Sequence, residues 1–340
     1  MKRAVEIARR LRSIFHRFRW VIVAAGVAVG AYALFRFPWR QTMAALAEAD
    51  ARLLAAALLV NLMSTVAKAS AWHYLLRFAG PFRWRTAQEA TLTGSAVSNL
   101  TVSVTGEAAR VGCAVARDGV SVEAAVTSIA LSRVAEAIGL AVFLIVVPLL
   151  LPLPPLLHHA HEGAIATLVV LAALAILGRG IRLPRRFQGA AASLTGTLRM
   201  VRSPSRMIWP SVLALVNWAT QWATFYFAFR AFHMPGAAAA SFTGLVATNV
   251  GGALRASPGN VGIFQASLVV ALLPFHVSPE RAVAAGLAIQ ALQIVPIQTL
   301  AAILFGWRQL SRGRASRREA AAREVAPQPE AVAPAVASPD

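Results

Sequence analysis

Apolar residues along this chain run in long uninterrupted blocks, not in the spaced stripes of surface helices or the alternation of half-buried strands. The blocks at 20–35, 53–76, 124–150, 163–177, 208–229 and 282–307 are candidate membrane spans, since a helix needs about 20 apolar residues to cross a bilayer core. Two further stretches, 86–105 and 238–274, are apolar but broken by Gly, Ser, Thr, Asn and Pro. They are poor simple spans. The pattern predicts an all-α integral membrane protein with about six full spans and two broken or re-entrant segments.

Composition supports that class. The 340 residues are 57% hydrophobic and only 14% charged, against roughly 25% charged in a soluble domain. A soluble enzyme and a disordered chain are both disfavoured. The net charge of +19 could suggest nucleic acid, but the basic residues sit in short clusters between apolar runs, as the positive-inside rule requires. Lys2, Arg3, Arg9, Arg10, Arg12, Arg17 and Arg19 precede the first block, and Arg179, Arg182, Arg185, Arg186, Arg199, Arg202 and Arg206 follow the fourth. The tail is arginine-rich again. These regions are expected in the cytoplasm, with both termini inside. The loop 148–162 has no Lys or Arg and is expected outside. Arg77, Arg83 and Arg85 on one flank of 86–105, and Arg110 and Arg117 on the other, imply that this segment enters and returns on the cytoplasmic side. The segment 238–274 would dip in from the opposite face. The resulting division is a basic N-terminal segment (1–19), a membrane domain (20–310) and a disordered cytoplasmic tail (311–340). The N-terminus also mimics a signal peptide, with Ala31-Tyr32-Ala33 after the apolar run, but consistent topology favours an uncleaved span.

The two broken segments resemble each other. Thr93-Gly94-Ser95-Ala96-Val97-Ser98-Asn99-Leu100 is similar to Thr243-Gly244-Leu245-Val246-Ala247-Thr248-Asn249-Val250, and Val120-Ser121-Val122-Glu123 to Val277-Ser278-Pro279-Glu280. The second offset places Arg133 on Gln290 and Glu136 on Gln293. An odd number of crossings separates the copies, so the halves would be inverted, a transporter arrangement. Chance similarity between two Ala/Gly/Val-rich segments is the plain alternative.

Ionisable groups inside apolar segments carry the candidate chemistry. Glu107 and Arg110, and likewise Arg133 and Glu136, are three residues apart and would share a helix face. Each ionised group at the bilayer centre costs about 2.5–3.5 kcal/mol, so these must pair or line a wet cavity. They could be structural ion pairs. They could also form a cavity in which arginine, whose planar fork suits phosphate oxygens, meets a headgroup while the carboxylates orient it. In Ser257-Pro258-Gly259-Asn260-Val261-Gly262, Pro258 interrupts any continuous helix. A helix restarting after Gly259 would offer free amides to an anion, unless this is an ordinary turn. Asn61, Thr65 and Lys68, and Asn217, Gln221 and Thr224, form polar stripes that read as helix-packing contacts, with Lys68 also able to snorkel. His158, His159 and His161 read as a solvated loop. The one cysteine, Cys113, leaves no internal disulfide or multi-cysteine metal site. No nucleotide-binding or hydrolytic motif occurs, so no enzymatic activity, cofactor or metal is expected.

Gly106-Glu107-x-x-Arg110, the downstream Arg133 and Ser257-Pro258-Gly259-Asn260-Val261-Gly262-x-x-Gln265 resemble the lysylphosphatidylglycerol synthase transmembrane-domain family, also called flippase-like, over roughly residues 10–310. The resemblance implies a membrane part that moves lipid between leaflets, without the soluble domain that makes lysyl-lipid. The family often has Pro before Gly-Glu, where this chain has Thr101-Val102-Ser103-Val104-Thr105, and usually ends the second motif in Glu, where this chain has Gln265.

The expectation is therefore a bacterial inner-membrane protein that binds and moves an amphipathic lipid: a phospholipid, a polyprenyl-phosphate-linked sugar or a hopanoid-type lipid. The partner is a membrane lipid with an anionic or phosphate-containing headgroup, not nucleic acid, with a lipid-pathway enzyme as a further candidate. Arg110 and Arg133 would meet the headgroup, with Glu107 and Glu136 orienting them. Asn99, Asn249, Arg255, Pro258, Gly259, Gln265, Gln290 and Gln293 would line the rest of the site. The alternatives are a membrane-embedded transferase on a lipid-linked substrate and a non-transporting scaffold.

Overall fold

The computed structural model describes residues 38–78, 80–101, 103–151, 162–163, 165, 204–253 and 258–325. The expected first span, most of the fourth, the histidine loop and Arg255 lie outside the described residues, and so do residues 326–340. Among the described residues every regular element is helical: α1 Trp39–Ala47, α2 Ala51–Leu76, α3 Trp84–Leu100, α4 Ser103–Asp118, α5 Val122–Leu150, α6 Pro204–Ala231, α7 Ala237–Gly252, α8 Ile263–Leu272 and α9 Pro279–Val325. Three stretches are long and apolar enough to cross a membrane: Ala51–Leu76, Val122–Leu150 and Pro279–Gly306. Helix α6 is 28 residues long, but Asn217, Thr220, Gln221 and its tryptophans dilute its apolar character. The apolar flanks face outward: Leu59 on α2 is 64% exposed, Leu149 on α5 74% and Ile303 on α9 62%. Such exposure is intolerable in water at this density but suits hydrocarbon.

Local sequence explains where the helices begin. Asp50 Oδ1 accepts the Arg52 amide at 2.8 Å, satisfying an orphan donor at the α2 N-terminus. Ser121 caps α5 through the Ala124 amide at 3.2 Å. Ser278 does the same for α9 through Arg281 at 3.4 Å. The two matched Val-Ser sequences thus perform the same local task.

Helix α2 packs along α6. The two run antiparallel, for the Asp50 amide bonds Ala231 O at 3.0 Å while Arg206 at the other end lies over Phe78. Between them Ser64 Oγ donates to Asn217 Oδ1 at 2.9 Å. Gly139 lets α5 approach the α6 backbone, since a Cβ there would lie 2.8 Å from Leu215 N.

Each broken segment is a helical hairpin. Helices α3 and α4 fold back on each other, and their open ends are tied by Arg83 Nη2 and Asp118 Oδ1 at 2.7 Å. A Cβ on Gly94 would stand 2.7 Å from Gly106 O, and one on Gly106 would overlap the Ser98 side chain. Only small residues allow this approach. Helices α7 and α8 form the second hairpin, in which a Cβ on Gly251 would overlap Ser267 Oγ. The first hairpin opens beside the C-terminus of α2, where Phe82 packs on Trp72 and Leu76. The second opens beside the C-terminus of α6, where Phe232, Met234 and Phe275 gather. Because α2 and α6 are antiparallel, the hairpins enter from opposite ends of the bundle. Their tips meet: an added Cβ at Gly259 would be 3.4 Å from Asn99 O.

Two boundaries differ from the sequence expectation. The first hairpin's return limb runs to Asp118 rather than ending near Thr105. Arg110 is therefore in the middle of a packed helix. Helix α9 also continues through Val325, past the expected tail boundary at 311. Its last turns are rich in Ala, Arg and Glu, all strong helix formers.

Candidate functional site

A cavity of about 910 Å³ lies where the two hairpin tips meet α2, α6 and α9. Every element contributes polar groups. Helices α3 and α4 supply Ser95, Ser98, Asn99, Glu107 and Arg110. Helices α2 and α6 supply Asn61, Lys68, Asn217 and Gln221. From α5 comes Arg133, and from the second hairpin and α9 come Asn249, Gly259, Asn260, Gln290 and Gln293.

The charged groups form an unequal cluster. Arg133 ion-pairs with Glu107 and, through Nη1, with Glu136 Oε2 at 2.8 Å. Lys68 Nζ lies 3.9 Å from Glu136 Oε1. Arg110 is only 6% exposed, yet its Nε and Nη2 have no hydrogen-bond partner among the described residues. Its guanidinium instead stands 3.9 Å from the centre of the Trp72 ring. Trp72 is fully buried and fixed by its own Nε1, which donates to Ser128 Oγ at 2.8 Å. Three cations thus face two carboxylates, both of which are spent on Arg133 and Lys68.

The pairing expected from spacing is corrected here. Glu107 and Arg110 sit three apart on α4, but Glu107 reaches across to α5 and leaves Arg110 without a carboxylate. A full ion pair outweighs an i,i+3 contact worth about 0.2–0.5 kcal/mol. Lys68 faces Glu136.

In the other half the polar bridge is uncharged. Gln265 accepts the Gly262 amide at 2.8 Å and donates through Nε2 to Gln290 Oε1 at 2.7 Å. Gln290 Nε2 then donates to Gly259 O at 2.8 Å. Gln265 is buried and reaches the cavity through its bond to the lining residue Gln290. It holds the turn in which Gly259 adopts φ +61°, a backbone state suited to glycine. Pro258 begins the short turn Pro258–Asn260.

Of the twelve residues singled out from the sequence, Asn99, Glu107, Arg110, Arg133, Asn249, Gly259, Gln290 and Gln293 line the cavity, and Glu136 pairs with two of its cations. Trp72, Asn260 and the Asn61 and Asn217 stripes were not expected in the site. Trp72 continues the Asn61, Thr65, Lys68 spacing by one further turn of α2, and that continuation was the available signal. The stripes do both tasks: Asn61 Nδ2 bonds Leu292 O at 3.0 Å and still faces the cavity. Among the described residues no group of three metal-binding side chains occurs.

No curated protein matches the sequence. Residues 8–301 match the family model described as the lysylphosphatidylglycerol synthase TM region, a flippase-type transmembrane domain and not a catalytic one. The bundle of apolar-flanked helices, the buried cationic cavity and a match over most of the chain lead to one assignment: this multi-pass membrane protein belongs to the lysylphosphatidylglycerol synthase transmembrane-region family.

Proposed function

We propose that the protein binds the phosphate-containing headgroup of an amphipathic lipid in this cavity and moves the lipid between the leaflets of a bacterial inner membrane. The observation that supports this most is Arg110: a buried guanidinium with two unpartnered N–H groups on the cavity wall. Leaving such a donor unsatisfied costs about 1–3 kcal/mol, more when charged, and a phosphate oxygen would relieve it by a charge-assisted bond. Trp72 fixes the plane of the guanidinium, and Arg133 adds positive potential from α5. Asn99, Asn249, Gln290 and Gln293 also line the cavity.

Two hairpins that enter from opposite ends and meet at one polar cavity suit alternating exposure to the two sides, with the headgroup in the cavity and the tails in lipid. We read the similar segments as inverted halves, with both termini in the cytoplasm. The test is reconstitution in liposomes with labelled phosphatidylglycerol. Wild-type protein should speed its movement between leaflets, and Arg110→Gln, verified to insert, should lose at least tenfold of that rate. Equal rates in protein-free vesicles would refute translocation.

A further inference from the structure

Among the described residues, the charged groups at the cavity come from α2, α4 and α5, and that charge is net positive. The second hairpin and α9 contribute amides. Asn99, Gln221, Asn260 and Gln293 each line the cavity, each is partly buried, and none has a side-chain hydrogen-bond partner among the described residues. Where the first half bridges its hairpin to its long helix with Glu107 and Arg133, the second half uses the neutral pair Gln265 and Gln290. Among the described residues at the cavity no carboxylate remains free to receive an ammonium group: Glu107 is held by Arg133, and Glu136 by Arg133 and Lys68.

An ammonium-bearing headgroup would therefore meet surplus positive charge with no counter-ion, which is unfavourable in a site of reduced dielectric. A monoanionic phosphodiester would neutralise the excess at Arg110. What is attached beyond it would then face unpartnered amides, each able to donate and to accept. Hydroxyl groups satisfy both roles, and a bare alkyl group satisfies neither. The volume, near 910 Å³, lies within the roughly 300–1,000 Å³ of small-molecule sites, so a polyol fits together with its phosphate.

We propose that the site selects lipids whose phosphodiester carries a neutral polyhydroxylated headgroup, such as glycerol, inositol or a sugar, and discriminates against amine-bearing ones. Arg110 takes the phosphate, and Asn260 and Gln293, with Asn99 and Gln221, take the hydroxyls. The specificity of the site rests on the lipid-binding role proposed above.

The experiment is native mass spectrometry of the detergent-purified full chain, titrated with four lipids of identical tails: phosphatidylinositol, phosphatidylglycerol, phosphatidylmethanol and phosphatidylethanolamine. Phosphatidylmethanol carries the same charge without hydroxyls. Phosphatidylinositol and phosphatidylglycerol should bind at least tenfold more tightly than phosphatidylethanolamine, and threefold or more above phosphatidylmethanol. In the Asn260→Ala/Gln293→Ala variant, affinity for the two polyol lipids should fall to that for phosphatidylmethanol, whose own affinity stays unchanged. Because Asn260 holds a positive φ of 54°, where alanine is strained, a second variant, Gln221→Ala, checks the same loss from another helix. Equal binding of phosphatidylethanolamine, or of phosphatidylmethanol, would overturn the headgroup selectivity alone. Absence of binding by all four lipids would overturn the lipid-binding role itself.

Discussion

Replacing Arg133 by glutamine tests whether the charged cluster is one connected network. Arg133 is the ion-pair partner of Glu107 and the nearer of two cations on Glu136, the other being Lys68 at 3.9 Å. Breaking a fully buried pair costs about 3–5 kcal/mol, whereas an exposed pair is worth roughly 0–1 kcal/mol. The side chains of Arg133 and Glu107 are 49% and 35% exposed, so the loss must be discounted to about 1–3 kcal/mol. Glu107→Gln should cost less, about 0–1 kcal/mol, because Arg133 keeps Glu136. The double variant should cost little more than Arg133→Gln alone, giving a coupling energy close to the whole cost of Glu107→Gln, up to about 1 kcal/mol. Reversible unfolding in mixed micelles, run on the four proteins, measures it. Effects that add within about 0.3–0.5 kcal/mol would refute the coupling and reduce the cluster to independent charges.

Three further perturbations address the hairpin, the platform and the open end. Gly106→Ala places a Cβ against Ser98 and the Gly94 carbonyl and should destabilise by about 1–3 kcal/mol, while Gly112→Ala, with open space around it, should be tolerated; thermal unfolding in detergent compares them. Trp72→Leu removes the ring beneath Arg110 and should weaken phosphatidylglycerol binding by roughly 2- to 30-fold, the equivalent of about 0.5–2 kcal/mol, with Trp72→Phe in between. At the hairpin's open end, burial raises the Asp118 pKa, but hydrogen bonds from the Arg83 amide, the Arg83 guanidinium and Thr86 outweigh it and hold the carboxyl below its usual value. A depressed folded pKa gives stability that is present above the unfolded value and lost as pH falls through the folded one. Asp118→Asn should therefore lower the unfolding midpoint at neutral pH, and the deficit should shrink as the pH falls below the ordinary carboxyl value of 3.8 and through the lowered folded one.

Much of the architecture was legible because hydrocarbon imposes a simple rule on sequence. Long apolar blocks gave α2, α5 and α9, and small and polar interruptions marked the two hairpins. Repeated Val-Ser sequences marked where α5 and α9 begin. Pairing inside the site was not legible. Spacing joins Glu107 to Arg110, but the hairpin's close Gly94–Gly106 approach turns α4 so that Glu107 reaches Arg133, a relation between helices that no local pattern encodes. The stack of Arg110 on Trp72 is equally non-local, since 38 positions of sequence separate them and Phe82 and Ser128 fix the ring. The end of the first return limb was misplaced because basic residues were read as membrane flanks. A buried arginine and a solvated one look alike in sequence.

The most direct measurement is an experimental density map of the protein in nanodiscs containing phosphatidylglycerol. The phosphate should stand against Arg110 Nε and Nη2, at about 2.7–2.9 Å, with the acyl chains leaving the cavity toward lipid. A protein carbonyl or carboxylate in that place, or a cavity filled by tails with the headgroup elsewhere, would contradict the assignment of Arg110 to the headgroup.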